Sequence, residues 1–185
     1  ALPRDHRLAV AQAVSQVLPW LADDPQAAVH PVKLVQGSVE PALLSARSRL
    51  VLRVARERAA ELHGFAGSTL HVAGHEITLG EPQLRELLPH TTLYAHFVDA
   101  GDADEAGFLD AVGAELQQLD VICHRVCGRE QEWRGPLRAL HGYSLMLHGL
   151  RAAAALRVLE HGLGAHRLMG CGVFVPHKSA AAVGD

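Results

Sequence analysis

The chain has 185 residues, of which 17 are Lys or Arg and 20 are Asp or Glu, so its formal net charge is −3 with neutral histidines. This charge weighs against a uniformly basic nucleic-acid binder. The chain is 49% hydrophobic, but no apolar run is long enough to span a bilayer and no signal-peptide pattern is present, so no membrane partner is expected. Three cysteines, an odd number, predict a reducing, cytoplasmic location rather than a disulfide framework.

The basic residues are concentrated locally despite the negative total. Five arginines lie within residues 47–58, and thirteen histidines are spread along the chain. Histidine becomes cationic near its ordinary pKa of about 6.5. RNA binding therefore remains compatible with the composition.

The first half of the chain begins with a predicted helix that Pro3 and Asp5 open, with Asp5 as its N-cap. The elements expected after it are, in chain order, a strand at Val29–Val35, a loop through Gly37 and Pro41, a strand at Arg49–Ala55, a helix at Glu57–His63 ended by Gly64, a hairpin at Ser68–Leu79 turning at Ala73-Gly74, and a connector at Glu81–Pro89.

The second half repeats a similar order. Its expected elements are a strand at Thr92–Val98, a helix after the acidic turn Asp102–Glu105, strands at Val121–Val126 and Tyr143–His148, a helix at Arg151–His161, and a last strand at Val173–Val175. Each half thus approximates the βαββαβ pattern. We predict an α+β fold of two tandem ferredoxin-like (RRM-like) units, at residues 1–80 and 91–185, joined by a connector at 81–90.

The first half lacks the opening strand of that pattern. Either this strand lies upstream of Ala1, in which case the chain is truncated or trimmed, or the interpretation as a repeat is wrong.

The most informative motif is His161–Lys178, HGLGAHRLMGCGVFVPHK, near the C-terminal end. Two Gly-x-Gly pairs, at 162/164 and 170/172, enclose His166 and Arg167. The spacing matches neither the P-loop nor the dinucleotide-binding glycine motif. A helix C-cap followed by a tight turn would explain these glycines. A glycine loop carrying cations would also suit an anion.

This glycine arrangement resembles the loop of the RAMP superfamily of CRISPR-associated RNA-binding proteins. It is most similar to the family of endoribonucleases that process precursor crRNA. The opening Leu2-Pro3-Arg4-Asp5-His6 resembles that family's entry into its first helix, and the ending GCGVFVPHK resembles a proteobacterial branch. The resemblance implies two ferredoxin-like units, in agreement with the predicted element order.

The resemblance implies that the chain cleaves CRISPR repeat RNA without a metal ion or other cofactor. The expected partners are the repeat RNA, the crRNA hairpin that it retains, and other subunits of a CRISPR effector complex. The 2′-hydroxyl of RNA would be the nucleophile, and the products would carry a 2′,3′-cyclic phosphate and a 5′-hydroxyl. The alternative is a non-catalytic crRNA-binding subunit of such a complex, with the same fold and loop.

Val29-His30, followed by Lys33, resembles the position where several family members carry a catalytic histidine and a nearby lysine. His30 is therefore the first candidate for acid–base catalysis, and Lys33 the electrostatic helper. His6, at the first turn of the first predicted helix, is the second candidate. The alternative explanation for His30 is an ordinary polar residue at the start of a strand. The alternative for His6 is an ordinary surface residue at the start of a helix.

Two sets of residues are candidates for RNA binding. In a strand, Arg47, Arg49 and Arg53 would share one face, where guanidinium groups suit phosphates, although a solvated outer face explains them equally well. The second set, from the glycine loop and just beyond it, consists of His166, Arg167, Gly170, Gly172 and Lys178. Aromatic residues, at 4%, are too sparse to predict an RRM-like stacking platform.

No metal site is predicted. Cys123-His124-x-x-Cys127 lacks a second ligand pair at zinc-like spacing. The carboxylates Asp102, Asp104 and Glu105 are explained by the helix start that they precede.

Overall fold

The computed structural model describes residues 1–35, 37, 40–45 and 47–178. It contains two compact units. The first comprises Ala1–Arg85 together with Leu168–Gly170, and the second comprises Glu86–Arg167 and the described residues from Cys171 onward. Part of the predicted loop around Gly37, and residues 179–185 of the predicted C-terminal unit, lie outside the described residues.

The described residues of the first unit form two α-helices and four short strands. Its elements are α1 (Arg7–Val17), a 3-10 turn (Pro19–Ala22), β1 (Ala28–Val29), β2 (Leu52–Arg53), α2 (Arg56–Ala59), a second 3-10 segment (Ala60–Phe65), β3 (Thr69–Val72) and β4 (His75–Thr78). Strand β1 pairs antiparallel with β2, and β3 pairs antiparallel with β4. Before α1, Leu2 forms an isolated bridge with Ala42.

Strands β1 and β2 are much shorter than the predicted strands at 29–35 and 49–55, so those boundaries were wrong. Pro31 has no N–H to donate to a ladder, which stops regular pairing soon after Val29. The amide of His30 still donates to the carbonyl of Val51 at 2.9 Å. The chain therefore leaves β1 in an irregular segment that begins at His30.

Helix α1 buries Val10, Ala13 and Val14 in a core that also contains Leu70 and Val72 from β3. The predicted N-cap at Asp5 was wrong. His6 occupies the cap position and makes no side-chain capping bond. The Asp5 carboxylate instead lies 3.8 Å from the Arg7 guanidinium.

The hairpin predicted around Ala73-Gly74 is confirmed. Both turn residues have positive φ, 48° at Ala73 and 81° at Gly74. This conformation matches the right-handed twist of the flanking strands. Val72 consequently pairs with His75.

The second unit has the complete ferredoxin-like order. Its elements are β5 (Thr92–Asp99), α3 (Glu105–Gln118), β6 (His124–Arg134), β7 (Ala139–His148), α4 (Ala152–His161) and β8 (Val175–Pro176). The strands form one antiparallel sheet in the order β6-β7-β5-β8. Asp104 caps α3, because its carboxylate accepts the Gly107 amide at 2.9 Å. The predicted α+β class is confirmed.

One face of this sheet packs against α3 and α4. The residues of this core include Leu93, Leu145, Phe108, Val112, Val158 and Leu159. Strand β6 is longer than the predicted strand at 121–126 and starts later. No helix in the described part of the chain is both long and apolar enough to cross a membrane.

Candidate active site

His30 borders a small pocket in the first unit. The pocket is lined by His6, Arg7, Val10, Val29, His30, Pro31, Leu168 and Met169. His30 is half-buried and follows β1 directly, while Arg7 comes from the first turn of α1. A residue type that can transfer protons and a cationic residue type therefore line the same small depression.

Lys33 lies on the same irregular segment as His30 but does not line the pocket. It is exposed, and its carbonyl accepts the Ser48 hydroxyl at 3.4 Å. Arg7 has no motif around it in the sequence. Arg7 reaches the pocket that His30 lines only through the packing of α1, and the local sequence pattern does not predict that packing.

His6 is buried, with only 3% of its surface exposed. Its Nε2 accepts the amide of Val32 at 3.1 Å, so its Nδ1 carries the proton and faces the carbonyls of Pro3 at 3.0 Å and Arg4 at 3.1 Å. Burial is the main cause that lowers the pKa of His6. Both ring nitrogens are thus engaged within the protein, which favours holding the segment after His30 over transferring a proton. The predicted catalytic role of His6 stays a prediction.

This environment gives His6 an expected effect on stability as a function of pH. The ring stays neutral in the folded protein below its ordinary pKa of 6.5, while the unfolded chain takes up a proton. Stability from His6 is therefore full above about pH 6.5 and is lost as the pH falls. In His6→Gln, an amide oxygen can accept the Val32 amide without titrating. We expect urea unfolding to show a smaller loss of stability toward acid pH in His6→Gln than in the wild type.

The control is His63→Gln, at an exposed position of the same unit. It should keep the wild-type dependence of unfolding free energy on pH. Equal dependence in His6→Gln and the wild type would contradict the neutral, buried ring.

Three residues of the glycine loop, Leu168–Gly170, belong to the first unit. Gly170 has a φ of +84°, and a Cβ there would lie 2.6 Å from Pro31 Cδ and 3.2 Å from the Val29 carbonyl oxygen. Only glycine combines this backbone conformation with this closeness. Gly170 therefore packs closely against the end of β1, next to His30 in the sequence.

We expect Gly170→Ala to lower the free energy of unfolding by about 1–3 kcal/mol, because it adds a left-handed alanine and a clash with Pro31. Gly64→Ala is the matched control in the same unit, since a Cβ there meets no atom within 4 Å. Its effect should stay within about 0.5 kcal/mol. Urea denaturation measures both, and equal midpoints would show that Gly170 is not constrained.

The remaining loop glycines meet backbone of the second unit. The Gly172 amide donates to the Phe97 carbonyl at 2.7 Å, and the Gly172 carbonyl accepts the Leu163 amide at 3.2 Å. A Cβ on Gly162 would lie 2.5 Å from the Gly172 carbonyl oxygen. Close packing within the protein thus accounts for Gly162 and Gly172, while RNA contacts at Gly170 and Gly172 remain predictions.

The charged residues of the loop differ in exposure. Arg167 is 9% exposed and donates to the carbonyl of His161 at the end of α4, which favours a structural role. Nε2 of His166 lies 3.4 Å from Oδ2 of Asp99. Lys178 is exposed. Binding of RNA by these three residues remains a prediction.

The arginines predicted to share a strand face do not all lie in a strand. Arg53 is in β2, opposite Ala28, whereas Arg47 and Arg49 are exposed and precede it. The Arg49 guanidinium donates to the Ser48 carbonyl at 2.9 Å. Strand alternation therefore does not place the three guanidinium groups together, and their RNA contacts stay predictions.

The cysteines are all free thiols. Burial raises the pKa of both Cys123 and Cys127. Among the residues that the structure describes, no three His, Cys, Asp or Glu side chains come together as a metal-binding group.

Comparison with known proteins agrees with this architecture. The Cas6 family model, described as Cas6 Crispr, matches residues 1–179. The chain is 36% identical, over 98% of its length and 79% of the relative, to a CRISPR-associated endonuclease Cas6 of Myxococcus xanthus. A solved CRISPR associated protein Cas6 has a TM-score of 0.66 at 10% identity, with 96% of this chain and 93% of that one covered.

Two further solved structures show the same fold. A Cas6-related protein from Pyrococcus furiosus has a TM-score of 0.63 at 11% identity, over 94% of this chain and 90% of that one. The CRISPR endoribonuclease Cse3 bound to a 19-nucleotide RNA has a TM-score of 0.50 at 11% identity, over 93% and 89%.

The fold is that of these CRISPR-associated proteins, and its ferredoxin-like second unit carries a glycine-rich loop near its end. The match to the family model over almost the whole chain then settles the narrower assignment. The chain belongs to the Cas6 family.

Proposed function

We propose that the chain is an endoribonuclease that binds CRISPR repeat RNA and cuts precursor crRNA. The observation that carries this proposal is the relative from Myxococcus xanthus, which is named as an endonuclease and aligns with 98% of the chain at 36% identity. The pocket beside His30 supports it, because His30 and Arg7 both line this pocket.

RNA brings its own nucleophile to such a site. A base removes the proton of the 2′-hydroxyl, the 2′ oxygen attacks the adjacent phosphorus, and the bond to the 5′ oxygen breaks. An acid protonates that leaving oxygen, while a cation stabilises the charge on the phosphoryl oxygens. The products are a 2′,3′-cyclic phosphate and a 5′-hydroxyl, and no step requires a metal ion.

The residues of the first unit can supply these functions. We assign proton transfer to His30, which borders the pocket, and charge stabilisation to Arg7, with Lys33 contributing from the exposed segment beyond it. His6 then accepts a hydrogen bond from the amide of Val32 and so fixes the segment that carries His30 and Lys33. In this proposal His6 is a positioning residue.

Phosphate binding is assigned to exposed cations. Arg47, Arg49 and Lys178 are exposed and suited to the RNA backbone. The other two basic candidates, Arg53 and His166, are half-buried and therefore less accessible to RNA. We propose that the product hairpin stays bound and is passed to other subunits of a CRISPR effector complex. The free thiols fit the predicted cytoplasmic location.

The experiment that tests the activity is incubation of the full chain with end-labelled RNA of its own CRISPR repeat. We expect one specific cut and tight binding of one product. Tight binding without any cut would instead favour the non-catalytic subunit. Neither binding nor cutting would overturn the proposal.

A further inference from the structure

The sheet of the second unit has a second face, opposite the core formed with α3 and α4. The pairing register places His124 of β6 opposite His148 of β7, and His148 opposite Thr92 of β5. The amide of His177 donates to the Thr92 carbonyl, so His177 continues this row beyond β8. Three histidines therefore lie in one row across the four strands.

The adjacent row on the same face contains Val126, Met146, Tyr94 and Val175, which are paired in that order. His96 follows Tyr94 on this face, since successive residues of a strand alternate between faces. We call Tyr94, His96, His124, His148 and His177 the histidine face.

The rings of the histidine face contact one another in two groups. Tyr94 lies 5.0 Å from His96, edge to face, and 5.5 Å from His177 between ring centroids. His124 and His148 are stacked at 4.8 Å. His96, His124 and His177 are exposed, and 47% of Val126 is exposed beside them. Flat π surfaces are thus accessible from solvent.

The two carboxylates in the second half of β6 lie away from the histidine face. Glu130 and Glu132 of β6 pair with Tyr143 and His141, which places both carboxylates on the opposite face. Asp99, at the end of β5, lies on the same side of the sheet as the histidine face. Its carboxylate accepts a hydrogen bond from the Gly101 amide at 3.0 Å and lies 3.4 Å from Nε2 of His166.

We infer that the histidine face binds unpaired bases of the RNA by stacking. The inference rests on the proposed function, because it takes RNA as the ligand. Sheets of this topology bind RNA when aromatic side chains on their exposed face stack on splayed bases, and histidine is among the residues on which such bases stack. Imidazole N–H groups add hydrogen bonds to phosphate or base edges.

Tyr94→Leu tests the inference because it keeps apolar volume on the sheet and removes the central ring. We expect the affinity for repeat RNA to fall roughly 5- to 100-fold, the usual effect of losing one stacked base. The single-turnover cleavage rate at saturating RNA should not change, because no group of the His30 pocket is altered. His71→Leu, at an exposed histidine of β3 in the first unit, is the matched control and should bind as the wild type does.

A second measurement identifies the stacked base. Repeat RNAs with one abasic position each are bound to the wild type and to Tyr94→Leu. At the position that stacks on Tyr94, the two changes should be non-additive, since either one removes the same contact. His124→Leu provides the same comparison should Tyr94→Leu prove unfolded by circular dichroism.

The outcomes are distinguishable from those of the proposed function. A wild type that binds and cuts repeat RNA, with folded variants of equal affinity and additive abasic effects, would overturn this inference alone. A wild type that neither binds nor cuts the RNA would overturn both. Unchanged RNA affinity together with loss of a protein partner in the variants would assign the face to protein binding instead.

Discussion

His30→Ala is expected to lower the rate of repeat-RNA cleavage by ~10²–10⁴-fold, the usual contribution of a general acid or base. The dissociation constant of the RNA should change little, because the proposed phosphate contacts are made by exposed cations elsewhere. Single-turnover kinetics at saturating RNA separates the two quantities. The pocket position of His30 beside Arg7 is the structural reason for this expectation.

His63→Ala provides the control, since His63 is an exposed histidine of the same unit outside the pocket. It should cleave as fast as the wild type. A full rate in His30→Ala, combined with a rate loss in His6→Gln that cannot be traced to instability, would reverse the roles assigned to the two histidines.

A 2′-deoxy substitution at the nucleotide just upstream of the scissile phosphate should abolish cleavage. The substitution removes the attacking oxygen, so no arrangement of His30, Arg7 and Lys33 can replace it. RNA binding should persist, because the phosphates are unchanged. Denaturing gels quantify the cut, and mass spectrometry of the all-ribose product should show the 2′,3′-cyclic phosphate.

The control places the 2′-deoxy nucleotide one position further upstream, where cleavage should proceed. EDTA should leave cleavage of the all-ribose RNA unaffected. Magnesium-dependent cutting of the substrate that lacks the attacking hydroxyl would overturn the mechanism, because a metal-activated water would then be the nucleophile.

Elements whose signals are local could be predicted from the sequence. The hairpin at Ala73-Gly74 follows from its turn residues, which have positive φ in the structure. Helix α3 follows from the acidic turn Asp102–Glu105, because carboxylates favour a helix start. The helix predicted at 151–161 agrees with α4 because its apolar face is regular. These signals also gave the order of elements in the second unit.

Elements that depend on their partners could not be predicted with correct bounds. Strand β6 lies at the edge of its sheet and exposes most of its residues, so its sequence lacks the alternation that marks a half-buried strand. The strand expected from Val29 onward contains an apolar run, but Pro31 limits its pairing. After Val29 the apolar residues favour a longer strand, whereas the missing N–H of Pro31 prevents regular pairing.

The candidate site was only partly accessible from sequence. His30 could be proposed from its resemblance to a family position, whereas its neighbour Arg7 depends on tertiary packing. The bond from Val32 to His6 joins residues 26 positions apart, and no spacing rule predicts it. The low aromatic content does not reveal the ring contacts of Tyr94, because the rings that it contacts belong to histidines.

The membership of Leu168–Gly170 in the first unit has a consequence for how the protein is made. The continuous part of that unit ends at Arg85, so its pocket lacks Leu168 and Met169 until residues 86–167 have also been synthesised. Domains otherwise tend to fold in the order of synthesis, and contacts between distant residues form late because they cost loop entropy. The pocket beside His30 can therefore be complete in a nascent chain only after most of the second unit has been synthesised as well.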